Sequence, residues 1–351
     1  MTRDLLRRAQ NEGNPIIRER SAILVWQGRS APKLIGDFND WELGDARTLD
    51  EVASGVWAYT FKLPRDAYME YALVRGEKRV RDPLNPRTTP NGIGDVNHFF
   101  YMPDAAPTPL ARRVRGVPSG TLTRHTLEAP YFIVGGRRVV YLYQPPVTQP
   151  CPLVVVFDGP DYLRRARLVN QVDNLIAQKR IRPIALAMLA NSKQARMIEY
   201  SCSDVTLGFI LYCVLPLARR QLNLVDVEAQ PGVYGALGAS LGGLISLYVA
   251  LRAPRVFGHV LSQSGAFSVM EHDFVVHDLV RHAPVAPINV WMDAGAFEWL
   301  LPANRRMRDE LLARGYAVTY REYSGGHNYP AWRDDVWRGL EHLYGKDTYS
   351  Q

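Results

Sequence analysis

Cysteine is scarce in this chain: Cys151, Cys202 and Cys213 are the three among 351 residues. An odd number without metal-ligand spacing argues against a disulfide framework and against a zinc site, and points to a reducing cytoplasm. Long apolar runs are missing as well. Segments such as 153–157 and 184–190 fall far short of the ~18 residues that suggest a membrane span, which excludes a transmembrane protein. The opening Met-Thr-Arg-Asp-Leu-Leu-Arg-Arg offers neither an apolar h-region nor a small-residue cleavage site, so it does not read as a signal peptide. There is no long basic run: 18 Lys and Arg stand against 15 Asp and Glu up to position 115, and 24 against 20 after it. Nucleic-acid binding wants a basic stripe or patch, so no nucleic-acid partner is expected, and no membrane partner either. The net charge of +7 serves solubility or mild steering of anionic substrates. Internal repeats are absent.

What is present is an ordinary globular balance, 47% hydrophobic and 22% charged, in a chain long enough for about two domains. Residues 1–20 read as a short charged helix or a loose arm. Between 21 and 103, short strand candidates at 22–26, 33–35, 56–63, 68–74 and 98–101 alternate with Gly, Asp, Asn and Pro clusters, the pattern of a β-sandwich. A linker rich in Pro, Gly and Arg follows at 104–120. From 121 to 346 the pattern changes. Unbroken apolar runs at 153–157, 184–189, 233–237 and 288–292, with a last candidate at 318–322, are separated by helix-period segments at 164–178, 241–251 and 303–314. Strands buried on both faces and alternating with helices predict a doubly wound, mainly parallel sheet.

The sharpest local signal is Gly238-Ala239-Ser240-Leu241-Gly242-Gly243. It follows a strand candidate and opens a helix candidate, the context that a Gly-x-Ser-x-Gly nucleophile turn requires. Ser240 then sits on a tight tip with its hydroxyl free, and the Leu241 amide at the helix start suits an oxyanion. The alternative is a glycine-rich turn that only packs helix on strand. A dinucleotide or phosphate loop fits worse, because the glycine spacing is wrong and no Gly-Lys-[Ser/Thr] follows.

A serine nucleophile needs a base, and the base an orienting acid. His327 stands in Ser324-Gly-Gly-His-Asn-Tyr-Pro-Ala-Trp332, read as a glycine-rich loop just after the last strand candidate. His342 falls on an amphipathic C-terminal segment, and His272, His277 and His282 are five apart, which does not align metal ligands on a helix. No metal is expected. For the acid, Asp293-Ala-Gly-Ala-Phe-Glu298 follows the strand at 288–292. Glu298, past the glycine turn, is taken ahead of Asp293, which is placed at the strand end. A second oxyanion donor is sought at Phe157-Asp158-Gly159-Pro160-Asp161. Pro160 has no amide hydrogen, which leaves Gly159 or Asp161.

These motifs together resemble the enterochelin (enterobactin) esterase-like group of the esterase D superfamily. The matching stretches are Asp158-Gly159-x-x-Tyr162, Gly238-Ala-Ser240-Leu-Gly-Gly-Leu, Val260-Leu-Ser-Gln-Ser-Gly265, Gly295-Ala-Phe-Glu298 and Gly325-Gly-His327-Asn-x-x-x-Trp332-Arg333. Gly36-Asp-Phe-Asn-Asp-Trp41, Gly55-Val-Trp57 and Asp82-Pro83-x-Asn85 resemble the immunoglobulin-like, glycogen-binding-type module found before such esterases. The resemblance implies an α/β-hydrolase fold behind a small all-β sandwich. It implies a metal-independent serine esterase without cofactor, with Ser240 as nucleophile, His327 as base and Glu298 as acid. It also suggests that Arg196 and Glu199 line the substrate pocket, with Tyr162 and Trp332 beside them; a plain salt bridge is the other reading of Arg196. Trp41 and Trp57 either stack on a sugar or pack the sandwich core. The implied substrate is a small-molecule ester, an anionic catecholate siderophore or an acylated sugar of the feruloyl or acetyl type. Acyl transfer on the same three residues, and a glycan-binding protein with an inactive hydrolase domain, are the competing functions. The sequence leaves a homo-oligomer open.

Overall fold

The computed structural model describes residues 2–92, 94–270 and 272–345. Met1, where the expected arm begins, and position 346, where the expected esterase domain ends, lie outside them. The chain forms two compact units. One takes the chain up to Ala106 together with Gly295–Trp299 and Glu322–Ala331; the other takes Pro107–Ala294, Leu300–Arg321 and the chain from Trp332 onward.

The first unit is a β-sandwich. Strands Ile16–Arg18, Ser21–Gln27, Val56–Lys62 and Asp50–Ala53 lie side by side in one sheet. Lys33–Gly36, Tyr68–Arg75, Val96–Tyr101 and Thr88–Pro90 form the second, with Lys78–Val80 paired to Tyr68–Arg75. The core takes Ala22, Leu24 and Phe61 from one sheet and Leu34, Met69, Tyr71, Leu73 and Phe100 from the other, as facing sheets require. Val56–Lys62 shows why this strand is apolar on both faces. Its aromatic side, Trp57, Tyr59 and Phe61, belongs to that core. Its small side, with Val56, joins Val25, Ile16 and Ala9 in a cluster beneath the helix Thr2–Glu12, flanked by Leu5 and Leu6. The first residues are therefore a packed helix and not a loose arm. Trp57 donates its indole N–H to Gly28 O at 3.0 Å, and Trp41 lies under the Arg79 guanidinium. Both tryptophans are partly buried and packed at the edge of the sandwich's apolar clusters.

The second unit is an α/β hydrolase. Its sheet has eight strands in the spatial order Thr121–Glu128, Arg137–Gln144, Ala185–Leu189, Leu153–Val156, Tyr234–Ala239, Phe257–Gln263, Asn289–Phe297 and Ala317–Gly326. The two leading pairings are antiparallel, and those from Ala185–Leu189 through Asn289–Phe297 are parallel. The central strands Leu153–Val156, Ala185–Leu189 and Tyr234–Ala239 are buried at every position, which is why they read as unbroken apolar runs. The strand order reverses between Leu153–Val156 and Tyr234–Ala239, and ligands of open α/β sheets bind at such a switch point.

Two expectations need correction. The helix expected over 164–178 is two helices, Gly159–Arg164 and Leu168–Ala177. Pro160 starts the first one a turn early, and Arg167, at φ 53°, breaks the run. The residues from Pro107 are not a loose linker: Leu110 is buried, and Asn174 Nδ2 donates to the carbonyls of Leu110 and Arg112 at 2.7 and 2.8 Å. Among the described residues no single helix is long and apolar enough to cross a membrane.

Candidate active site

Strand Tyr234–Ala239 runs straight into helix Leu241–Arg252, and the residue at the turn is Ser240. Its backbone has φ 58° and ψ −124°, a conformation that an L-residue adopts only at a cost of about 1–3 kcal/mol and only when its surroundings hold it there. They do. The Ser240 N–H donates to Gln263 O at 2.9 Å, and its carbonyl accepts from the N–H groups of Ala266 and Leu244, both at 3.1 Å. The flanking glycines serve close approach. A Cβ on Gly238 would lie 2.4 Å from Gly242 O, and one on Gly243 would lie 2.5 Å from Ser262 Oγ. No side chain fits at either place, so helix and strand meet at backbone distance and Ser240 stands at the tip, half-buried.

Leu241 is the first residue of a twelve-residue helix, so its N–H has no carbonyl a turn behind it and points with the positive end of the helix dipole. Gly159 opens a helix in the same way, after Asp158 at φ 53°. A Cβ there would lie 2.4 Å from the Met188 carbonyl carbon, so glycine is needed for packing on strand Ala185–Leu189. The other candidate amide, Asp161, donates to Asp158 O at 2.9 Å. Of the two amides left open around Pro160, Gly159 is the one without that bond.

Arg196 meets Asp158 through both edges of its fork, Nε to Oδ1 at 2.9 Å and Nη2 to Oδ2 at 2.5 Å, and its guanidinium lies over Tyr200. Asn191 Nδ2 adds a third donor to the Asp158 carboxylate at 2.5 Å. That carboxylate sits beside Gly242: a Cβ there would be 3.4 Å from Asp158 Oδ2. The salt-bridge reading of Arg196 is thus realised, and its cation offsets a negative charge next to the helix start. Glu199, expected in the substrate pocket, is buried instead. It accepts from Arg138 Nη2 at 2.6 Å and from Val134 N–H at 3.0 Å, so its charge is used inside the unit.

Tyr162 and Trp332 also depart from the pocket-lining expectation. Tyr162 is fully buried, and its hydroxyl donates to Gln263 Oε1 at 3.0 Å. Burial pushes its phenol well above the ordinary range, which keeps it a donor. Trp332 is buried too. Its indole donates to Ser264 Oγ at 2.9 Å and its carbonyl accepts from Gln263 Nε2 at 3.2 Å. Asp293 does not end its strand, which runs on to Phe297. Wholly buried, it accepts from Trp291 Nε1 at 2.9 Å and from Gln263 Nε2 at 3.3 Å. These residues converge on Gln263, whose carbonyl holds the Ser240 N–H, so they brace the turn from below. Gln263 has no role assigned in the sequence; the available signal is a polar pair, Ser262 and Gln263, closing a strand that is buried except at His259.

His327 and Glu298 lie together in the first unit. Imidazole Nδ1 is 3.1 Å from Glu298 Oε2; the Glu298 side chain is fully buried, while that of His327 keeps 24% of its exposure. Glu298 Oε1 has no hydrogen-bond partner among the described residues. The segment around His327 is not a glycine-rich loop. Ser324, Gly325 and Gly326 belong to strand Ala317–Gly326, and the helix Tyr329–Tyr344 begins two residues after His327. Close contact explains Gly326, where a Cβ would lie 2.2 Å from Asp37 Cγ, and Gly295, where one would lie 2.3 Å from Gly325 O. Among the described residues no group of three or more His, Cys, Asp or Glu could hold a metal ion.

Comparison with known proteins identifies the family and the fold. Residues 133–343 match the family described as "Putative esterase". The iron(III) salmochelin esterase of Escherichia coli O6:H1 is 26% identical over 375 residues, covering 93% of this chain and 88% of the relative. The ferric enterobactin esterase of Salmonella typhimurium superposes with a TM-score of 0.77 at 19% identity, covering 92% of this chain and 93% of that one. The enterobactin esterase from Shigella flexneri, solved in the presence of 2,3-di-hydroxy-N-benzoyl-serine, gives a TM-score of 0.75 at 19% identity over 92% of each chain. At such identity the structural likeness speaks to the fold.

Proposed function

The chain belongs to the esterase family and is a carboxylic-ester hydrolase, and from that premise we propose that it works through an acyl-enzyme on Ser240. Ser240 Oγ attacks the ester carbonyl carbon while His327 takes the hydroxyl proton. The tetrahedral intermediate then loses its alkoxide, which leaves as the alcohol with the proton returned from the imidazolium. Water repeats the sequence, releasing the acid and restoring Ser240. Glu298 fixes the ring through Nδ1 and stabilises the imidazolium. The N–H groups of Leu241 and Gly159 hold the oxyanion, at ~3–4 kcal/mol for each donor lost. Arg196 keeps the Asp158 carboxylate from opposing that charge.

The observation that carries the reading is the strained Ser240 backbone between strand and helix. The substrate class follows the relatives. They are esterases of iron(III) siderophores, and one was solved with a dihydroxybenzoyl-serine. We read the natural substrate as an anionic catecholate siderophore ester, to which a net charge of +7 is suited. A reducing cytoplasm is the compartment that three free cysteines fit best.

Turnover of p-nitrophenyl butyrate tests the mechanism. Ser240→Ala is expected to lower kcat by at least ~10³-fold, since the nucleophile has no substitute. Unchanged turnover would reject the site. Release of dihydroxybenzoyl-serine from the ferric siderophore, followed by chromatography, tests the substrate; its absence alongside p-nitrophenyl ester turnover would reject that class alone.

A further inference from the structure

The turn Gly36-Asp37-Phe38-Asn39-Asp40-Trp41 marks the sandwich in the sequence, yet two of its carboxylates face the residues that flank His327 and Glu298. Asp37 is buried. Its Oδ2 accepts from Glu70 N–H at 2.8 Å and from Asn328 Nδ2 at 3.2 Å, and its Oδ1 from Trp41 Nε1 at 3.2 Å. Gly326 presses on the same carboxyl group: a Cβ there would fall 2.2 Å from Asp37 Cγ. Gly326 and Asn328 are the two chain neighbours of His327, so Asp37 holds the backbone on one side of the imidazole and a side chain on the other. Asn328 is fixed at its other end too, since Oδ1 accepts Ala331 N–H at 3.0 Å and caps the following helix.

Three residues along the turn, Asp40 adopts a left-handed φ of 52°, which Asp tolerates. Asp40 is exposed, and its carboxylate lies near the backbone N–H of Trp299, the residue after Glu298; partial burial raises its pKa, while that N–H and His327 lower it and Glu298 acts on it as a like charge. Trp299 in turn faces the His327 ring, with 6.2 Å between centroids. The same turn therefore touches the base segment through Asp37 and the acid segment through Asp40. Burial beside Glu70 pushes the Asp37 carboxyl well above the usual range, and Glu70 is itself held by Tyr68 Oη and Asn97 Nδ2 at 3.0 and 2.6 Å. Such a set is too enclosed to follow a wandering His327, so it resists displacement of the ring.

We propose that the 36–41 turn is a positioning element for the His327–Glu298 pair, with Asp37 setting the base segment and Asp40 the acid segment. The proposal rests on the reading of His327 as base and Glu298 as acid. A ring displaced by about 1 Å costs on the order of 10²-fold in rate, so the effect falls on kcat and leaves KM in place.

The test is steady-state hydrolysis of p-nitrophenyl butyrate by the full chain, with the rate of fluorophosphonate labelling measured in parallel. Asp40→Ala, Asn328→Ser (which keeps a capping oxygen but no donor to Asp37) and Asp37→Ala are expected to lower kcat about 10- to 100-fold. KM should stay within about twofold, and labelling should slow in proportion. Asp40→Asn keeps an oxygen for Trp299 N–H and should recover most of the loss. If Asp37→Ala does not fold, the other two variants decide. A kcat that stays at the parent value in both Asp40→Ala and Asn328→Ser, or a rise in KM alone, overturns the proposal. Ser240→Ala and His327→Ala run beside them separate the two failures. Full turnover in either removes the catalytic reading and the proposal with it. Loss in both, with Asp40→Ala and Asn328→Ser unaffected, removes the positioning role only.

Discussion

Glu298 and Asp293 stand five residues apart in one chain segment and have opposite fates. Glu298 lies just past the strand end, buried and aimed at an imidazole Nδ1. Asp293 lies inside the strand with its oxygens shared between Trp291 and Gln263. In the proposed mechanism Glu298 holds the ring and stabilises its cation, so removing its charge removes both. Glu298→Gln is therefore expected to lower kcat about 10²- to 10⁴-fold with the fold intact by circular dichroism. Asp293→Asn should show first in stability, by about 1–3 kcal/mol in urea unfolding, because a buried acceptor is lost beneath the Ser240 turn. The reverse pattern would exchange their roles. The pairing of Glu298 with His327 is legible because chain order and position after a strand point to it. The burial of Tyr162, Trp332 and Glu199 was not, because a motif letter does not say which face of an element a side chain takes.

At the scale of elements, the strands that carry the candidate nucleophile were readable for a physical reason. Strands covered on both faces have no polar position, so 153–157, 184–189 and 233–237 stand out as unbroken apolar runs. The hairpin Thr121–Glu128 with Arg137–Gln144 was missed because its outer strand is mostly exposed and carries Thr, Arg, His and Glu. Glycine misled in one place and guided in another. Ser324-Gly325-Gly326 suggested a loop, yet these residues close a strand, and glycine is required at 326 by Asp37 packed against it. Gly238 is the guiding case. A methyl group on it would overlap Gly242 O, so Gly238→Ala should cost about 3 kcal/mol or more in chemical denaturation and lower activity by disturbing the Ser240 turn. A variant as stable and as active as the parent would show that this turn has slack.

Over the whole molecule, composition bounded the answer before any motif was read. A balanced apolar and charged content, three separated cysteines and the absence of long apolar runs left a globular chain of about two domains. Along the sequence the chain divides by position, sandwich first and hydrolase after. The structure groups it by contact, and Gly295–Trp299 and Glu322–Ala331 fall with the sandwich residues although they lie some 200 positions further on. No periodicity reports such an association, because it arises from side-chain and backbone fit around Asp37 and Asp40. The central claim is that Ser240 is the residue that becomes acylated, and covalent trapping tests it most directly. After incubation of the full chain with a fluorophosphonate ester, intact-mass measurement and peptide mapping should show one adduct per chain, on Ser240, formed far more slowly in His327→Ala. An adduct on another residue, or none while p-nitrophenyl butyrate is still turned over, would contradict it.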